Sequence, residues 1–108
     1  MKRKSRVRSK RRNEIRFHKT LIGKRNIKMR HPAYIWRERG NVYDYHGITH
    51  SKNVDGKDFV PLRENPNPKD KRKAFYNPNS ESDIKSSFGR KEKKWKLNPL
   101  DVIDIHKK

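Results

Sequence analysis

The sequence predicts a mainly β protein, a small, strongly curved antiparallel sheet or barrel closed by a short C-terminal helix and carrying a basic, flexible N-terminal arm. Three observations predict it. Two runs rich in aromatic and β-branched residues, Ala33 to Trp36 and Val42 to Ile48, flank a polar link containing Gly40 and Asn41. A capped, proline-started helical pattern stands near the C-terminus. Fourteen of the 31 Lys and Arg residues fall in the first thirty positions, against the single acid Glu14.

That opening segment repels itself and has little apolar surface to bury, so residues 1–30 read as an arm and 31–108 as the domain. Lys2, Arg3, Lys4, Arg6, Arg8, Lys10, Arg11 and Arg12 leave Val7 as the one apolar residue among positions 2 to 12. Ile15, Phe17, Leu21 and Ile22 form a short amphipathic piece, helix or first strand, too brief for its period to discriminate.

Ala33-Tyr34-Ile35-Trp36 and Val42-Tyr43-Asp44-Tyr45-His46-Gly47-Ile48 form the hairpin, because Gly-Asn accepts the positive φ of a tight turn. A turn centred near Arg39 and Gly40 places Trp36 opposite Tyr43 and Tyr34 opposite Tyr45. All four aromatics then share one face. They form either core or a platform for unpaired bases, and core is the expectation. Asp55-Gly56 marks a second turn, and Pro61 assigns Phe59 to Leu62 to an edge strand. Asn65 to Asp70, with two prolines, is a loop. Ala74 to Tyr76 is extended, and Asn77 to Ser80 ends it.

Asn98 caps the terminal helix, Pro99 suits its first position, and Asp101 favours its positive end. Leu97 and Val102 have the spacing of a hydrophobic staple, while Leu100, Ile103 and Ile105 form the expected apolar stripe.

Composition excludes several classes. The net charge of +19 points to a polyanion, RNA or DNA. With no cysteine there is neither a disulfide framework nor a thiolate metal site, which fits a cytoplasmic protein. No apolar run reaches membrane-spanning length and no signal peptide is expected, so no membrane partner is expected. Nucleotide-binding loops and zinc-protease motifs are absent, and no cofactor or metal is expected. His46 and His50 share a strand face, yet no third ligand accompanies them, and they read as solvated strand histidines. His50 beside Ser51 is no dyad, because neighbours on a strand point to opposite faces. Lys91 to Lys96 reads as a solvated charged run with Trp95 tucked under the helix, or else as charge interleaved with a stacking ring.

Arg30-His31-Pro32-Ala33-Tyr34-Ile35-Trp36, a short turn, and Tyr45-His46-Gly47-Ile48-Thr49-His50-Ser51 together resemble the signature of the PemK/MazF toxin family. The later order is similar too, down to Leu97 to Asp101 opening the terminal helix. The resemblance spans His31 to Ile105 and implies an SH3-like barrel, with metal-independent RNA cleavage through a 2′,3′-cyclic phosphate. It also implies a toxin–antitoxin setting, with an acidic antitoxin as partner and a homodimer open. Thr49 then stands at the family's active-site threonine and His31 at its arginine position, with Arg30 beside it. The departures are the substituted arginine, the unrecognised N-terminal strand and the long basic arm.

The expectation is therefore a basic RNA-binding module, with Arg16, Lys24 and Arg25 joining the arm's cations in contacting nucleic acid. The alternatives are an endoribonuclease built on His31, Thr49 and Arg30, and an assembly protein or inhibitor bound to an anionic protein or ribonucleoprotein.

Overall fold

The computed structural model describes residues 9–22, 27–54 and 56–107. Its elements are strands β1 (Ser9–Ile22), β2 (Ile27–Arg39), β3 (Val42–Thr49), β4 (Asn53–Val54), β5 (Lys57–Asp58), β6 (Val60–Pro61), β7 (Phe75–Tyr76), β8 (Glu81–Ile84) and β9 (Phe88–Lys91), with helix α1 (Pro99–His106). A 3-10 turn, Lys85–Ser87, joins β8 to β9. The main sheet runs β6-β7-β3-β2-β1-β9, with β8 pairing the outer edge of β3.

The short amphipathic piece is thus a strand, and the expected boundary at residue 30 falls inside β2. The arm reading fails from Ser9 onward because β1, paired with β2, buries Ile15 on one face and Glu14 and His18 on the other, while Lys10, Arg11 and Lys19 stay at the surface. Ile15 is 1% exposed, opposite Tyr34.

Curvature follows from connectivity. In a flat sheet, β8 and β9 would lie four strand spacings apart, roughly 19 Å. Ile84 and Phe88 are four residues apart, which spans at most roughly 14 Å. The β3-β2-β1 sheet must therefore curl. Its two edges are joined by the 3-10 turn rather than by a ladder, so the sheet is open and not a closed barrel.

Register determines the cores. Beyond the turn at Gly40 and Asn41, where Gly40 has φ 55°, Arg39 pairs with Val42 and Glu38 with Tyr43. An irregularity between Ile35 and Arg37 follows, and then Ile35 pairs with Tyr45 and Tyr34 with His46. The expected register is off by two residues next to the turn and by one beyond the irregularity, and the odd shift there flips the faces. Tyr43 and Tyr45 join Ala33, Ile35 and Phe88 in one cluster on the inside of the curl. Tyr34 and half-buried Trp36 belong to the other, with Ile15, Ile48, Leu62, Ala74, Tyr76, Leu97 and Ile105. The four aromatics are core, as expected, but on two faces.

Helix α1 docks on that second cluster. Asn98 accepts from the Leu100 amide at 2.8 Å, and Leu97 and Val102 pack together in the cluster. Two residues of the expected stripe are turned outward, however, with Leu100 54% and Ile103 55% exposed. The third, Ile105, is buried as expected, and Asp101 is buried with it. Arg63 explains the rotation: its backbone amide donates to both Asp101 oxygens at 3.1 Å, and its guanidinium bridges Asp101 and Asp104.

Pro61 lies on the edge strand β6, and Gly56 (φ 77°) turns β4 into β5, both as expected. Strands β8 and β9 were not legible, since Glu-Ser-Asp-Ile and Phe-Gly-Arg-Lys each carry one large apolar residue. No described helix is long and apolar enough to cross a membrane.

Candidate nucleic-acid interface

Acids that this fold buries or half-buries are matched by bases on both faces of the sheet. On the inner face Arg12 bonds to Glu38, which also receives Lys85, and Arg16 donates to Glu14 at 2.7 Å. Hydrogen bonds from Lys85 and Arg12 pull the Glu38 carboxyl down to about 2. On the opposite face Asp44, 1% exposed, accepts from Arg37 at 2.5 Å, from Arg39 and from the Ser82 hydroxyl. The Arg39 bond leads in holding Asp44 well below the carboxylate range, against the opposing effect of burial. Glu14, Glu38, Asp44, Asp70, Asp101 and Asp104, half of the twelve acids, are ion-paired to Lys or Arg.

The unmatched cations face outward, most densely around two adjoining shallow depressions of about 370 and 640 Å³. One wall is the loop from Arg63 to Lys73, and the other is the segment from Arg90 to Lys96. Ten cationic residues line them (Arg63, Lys69, Lys71, Arg72, Lys73, Arg90, Lys91, Lys93, Lys94 and Lys96) against Glu64, Asp70 and Glu92.

The loop holds its shape without glycine. Asn65 and Asn67 side chains accept from the amides two residues on, at 2.9 and 3.0 Å, and Asp70 accepts from the Arg72 amide at 3.0 Å. Such turns replace backbone partners that the two prolines cannot supply. The Leu62 amide donates to Ala74 at 2.9 Å, closing the loop's base. Lys96 donates to the Pro66 carbonyl at 3.3 Å and joins the walls. The Arg72 guanidinium, bonded to Asp70, keeps that carboxyl far below its usual range.

Half-buried Trp95 lines the smaller depression. Its ring meets Phe17 edge-on at 5.2 Å and packs against the cluster that holds Ile105 and Val102. The ring is thus anchored in the core while it also lines a cationic surface.

The other expected site residues scatter. Lys2, Arg3, Lys4, Arg6, Arg8, Lys24 and Arg25 lie outside the described residues. Lys10 and Arg11 are exposed on β1, whereas Arg12 and Arg16 are half-buried and ion-paired, Arg16 also lying 5.1 Å over the Tyr43 ring. Alternation along β1 turns Arg16 inward with Glu14 and His18. Arg30 and His31 are exposed on β2, where His31 pairs with His18 of β1. The β2–β3 ladder ends at Ala33 and Gly47, two residues short of His31 and Thr49. Thr49 instead pairs with Phe75, and its hydroxyl oxygen accepts from the Ser51 amide at 3.2 Å. The sheet brings His31 and Thr49 to the same end without joining them in a ladder.

Of the two histidines expected to be solvated, His50 is exposed and His46 is buried. His46 is 5% exposed and donates from Nδ1 to the Asn77 carbonyl at 2.8 Å, while exposed His50 donates to the Lys73 carbonyl. Among the described residues no three His, Cys, Asp or Glu residues form a group that could hold a metal. The loop cations Lys69, Lys71, Arg72 and Lys73 were missed, although their density in five positions was a visible signal. Comparison with protein-family models, curated proteins and solved structures finds no match.

Proposed function

We propose that this chain is a non-enzymatic RNA-binding protein that uses its outward surplus of cations to neutralise a phosphate backbone. One observation carries the reading: Lys and Arg ion pairs take up half of the acids, while among the described residues Lys69, Lys71, Lys73, Arg90, Lys91, Lys93, Lys94 and Lys96 make none. Cations left in water and fixed on ordered segments suit release of counterions from a polyanion. The exposed face of α1 is apolar, with Leu100 and Ile103, and this favours RNA over a helix set in the major groove of DNA.

Fluorescent RNA and DNA of matched length, titrated over a salt series in chelator, test the proposal. RNA binding that weakens steeply with salt, with the RNA left intact, is expected. No binding at low salt overturns it. Cleavage leaving 2′,3′-cyclic phosphate ends, and abolished in His31→Ala and Thr49→Ala, replaces it with the endoribonuclease reading. Capture of an acidic protein in preference to RNA replaces it with the inhibitor reading.

A further inference from the structure

We infer that the RNA enters as a single strand, running between the 63–73 loop and the 90–96 segment, with one unpaired base stacked on Trp95. The inference rests on the RNA-binding reading and names where and in what form the RNA binds.

Three features favour a single strand. The two depressions share Asn67, Pro68 and Lys94, so they form one continuous path. Lysines stand on both sides of that path, Lys69 and Lys71 on the loop and Lys91 and Lys94 on the opposite segment, where they can follow a flexible backbone. The Trp95 ring is already held by Phe17 and the core, so stacking a base on it costs little side-chain entropy. A duplex keeps its bases inside and offers nothing to that ring.

The Asx turns add preorganisation. Asn65, Asn67 and Asp70 hold the loop before any ligand arrives. The cations therefore need little ordering on binding, which raises the affinity that each phosphate contributes.

Two experiments decide the matter. The chain has two tryptophans, so Trp36→Phe leaves Trp95 as the sole indole reporter. Oligouridylate should quench its emission saturably, and duplex RNA of equal length should quench it far less. Next, Lys91→Glu with Lys94→Glu should weaken oligouridylate binding at least tenfold and lower the salt slope by about 0.7 for each phosphate no longer neutralised. Lys52→Glu with Lys57→Glu, on exposed positions of the β4–β5 hairpin, makes the same change in net charge and should cost far less. Trp95→Leu should weaken binding roughly 5- to 100-fold, as expected for one stacked base.

The groove is overturned if wild type binds RNA while Trp95 emission stays constant, or if both lysine pairs cost the same. Duplex binding as tight as single-strand binding overturns the single-strand form. In each of those cases RNA binding itself still stands. Failure of wild type to bind any RNA instead overturns the RNA-binding reading on which the groove rests.

Discussion

His18 Nε2 lies 2.8 Å from Asp83 Oδ2, although these residues belong to β1 and β8, which do not pair with each other. The contact crosses the inside of the curled sheet, where the His18 ring also stacks on Phe88 at 4.7 Å and meets Tyr45 at 4.6 Å. The open edges are thus held by side chains and one 3-10 turn instead of a continuous ladder.

Asp83→Ala should therefore cost about 1 kcal/mol, the worth of one part-exposed hydrogen bond. The destabilisation should concentrate at the edge. Amide exchange of β8 and β9 should accelerate more than that of β2 and β3. Burial tends to raise the Asp83 carboxyl, but the bonds from His18 and the Ile84 amide outweigh it and the net shift is downward. Equal acceleration in all strands would show that the contact does not hold the edges.

Acid should unfold the protein through its internal ion pairs. Glu38 is held at about 2, and Asp44 is held well below its ordinary value. Both carboxyls are depressed in the fold, so their stabilisation is complete above the unfolded value near 4. It disappears as pH falls from there towards the folded values. Thermal melts should hold steady from pH 7 to about 5 and drop steeply below about 4. Asp44→Asn should flatten that drop and cost roughly 2 kcal/mol at pH 7, less than a fully buried pair because Arg37 and Arg39 are about a third exposed. An Asp44→Asn melt as high as wild type at pH 7 would refute this.

Local chemistry was legible in the sequence and long-range register was not. Asn98, Pro99 and the staple placed α1 because a cap is decided within five residues, and Pro61 placed an edge for a similar reason. The face of α1 depended on Arg63, 38 residues before Asp101, which no periodicity reports. The aromatic faces depended on one displaced residue at Trp36, and an odd shift reverses every side chain beyond it. The candidate interface was half visible. The run around Trp95 stood out, but its pairing with the loop at Lys69 to Lys73 exists only once the walls meet through Lys96 and Pro66.

Truncation separates the charge of the N-terminus from its architecture. Removing residues 1–8 deletes five cations, Lys2, Arg3, Lys4, Arg6 and Arg8, and leaves β1 whole. Such a variant should melt close to wild type and bind RNA with a lower salt slope, reduced by about 0.7 to 0.9 for each phosphate it no longer neutralises. Removing residues 1–19 instead deletes most of β1, the strand between β2 and β9. It takes Ile15 from one cluster and the His18 ring from against Phe88 of the other, and it leaves Glu38 with Lys85 but without Arg12. Losing Ile15 alone costs about 2–5 kcal/mol when a cavity remains, close to the whole stability of so small a domain. The longer truncation should therefore lack a cooperative melt. Circular dichroism melts of the two variants, read beside their RNA titrations, check both expectations. A 20–108 fragment that melts cooperatively near wild type would show that β1 is dispensable and that the N-terminus is an arm through residue 19.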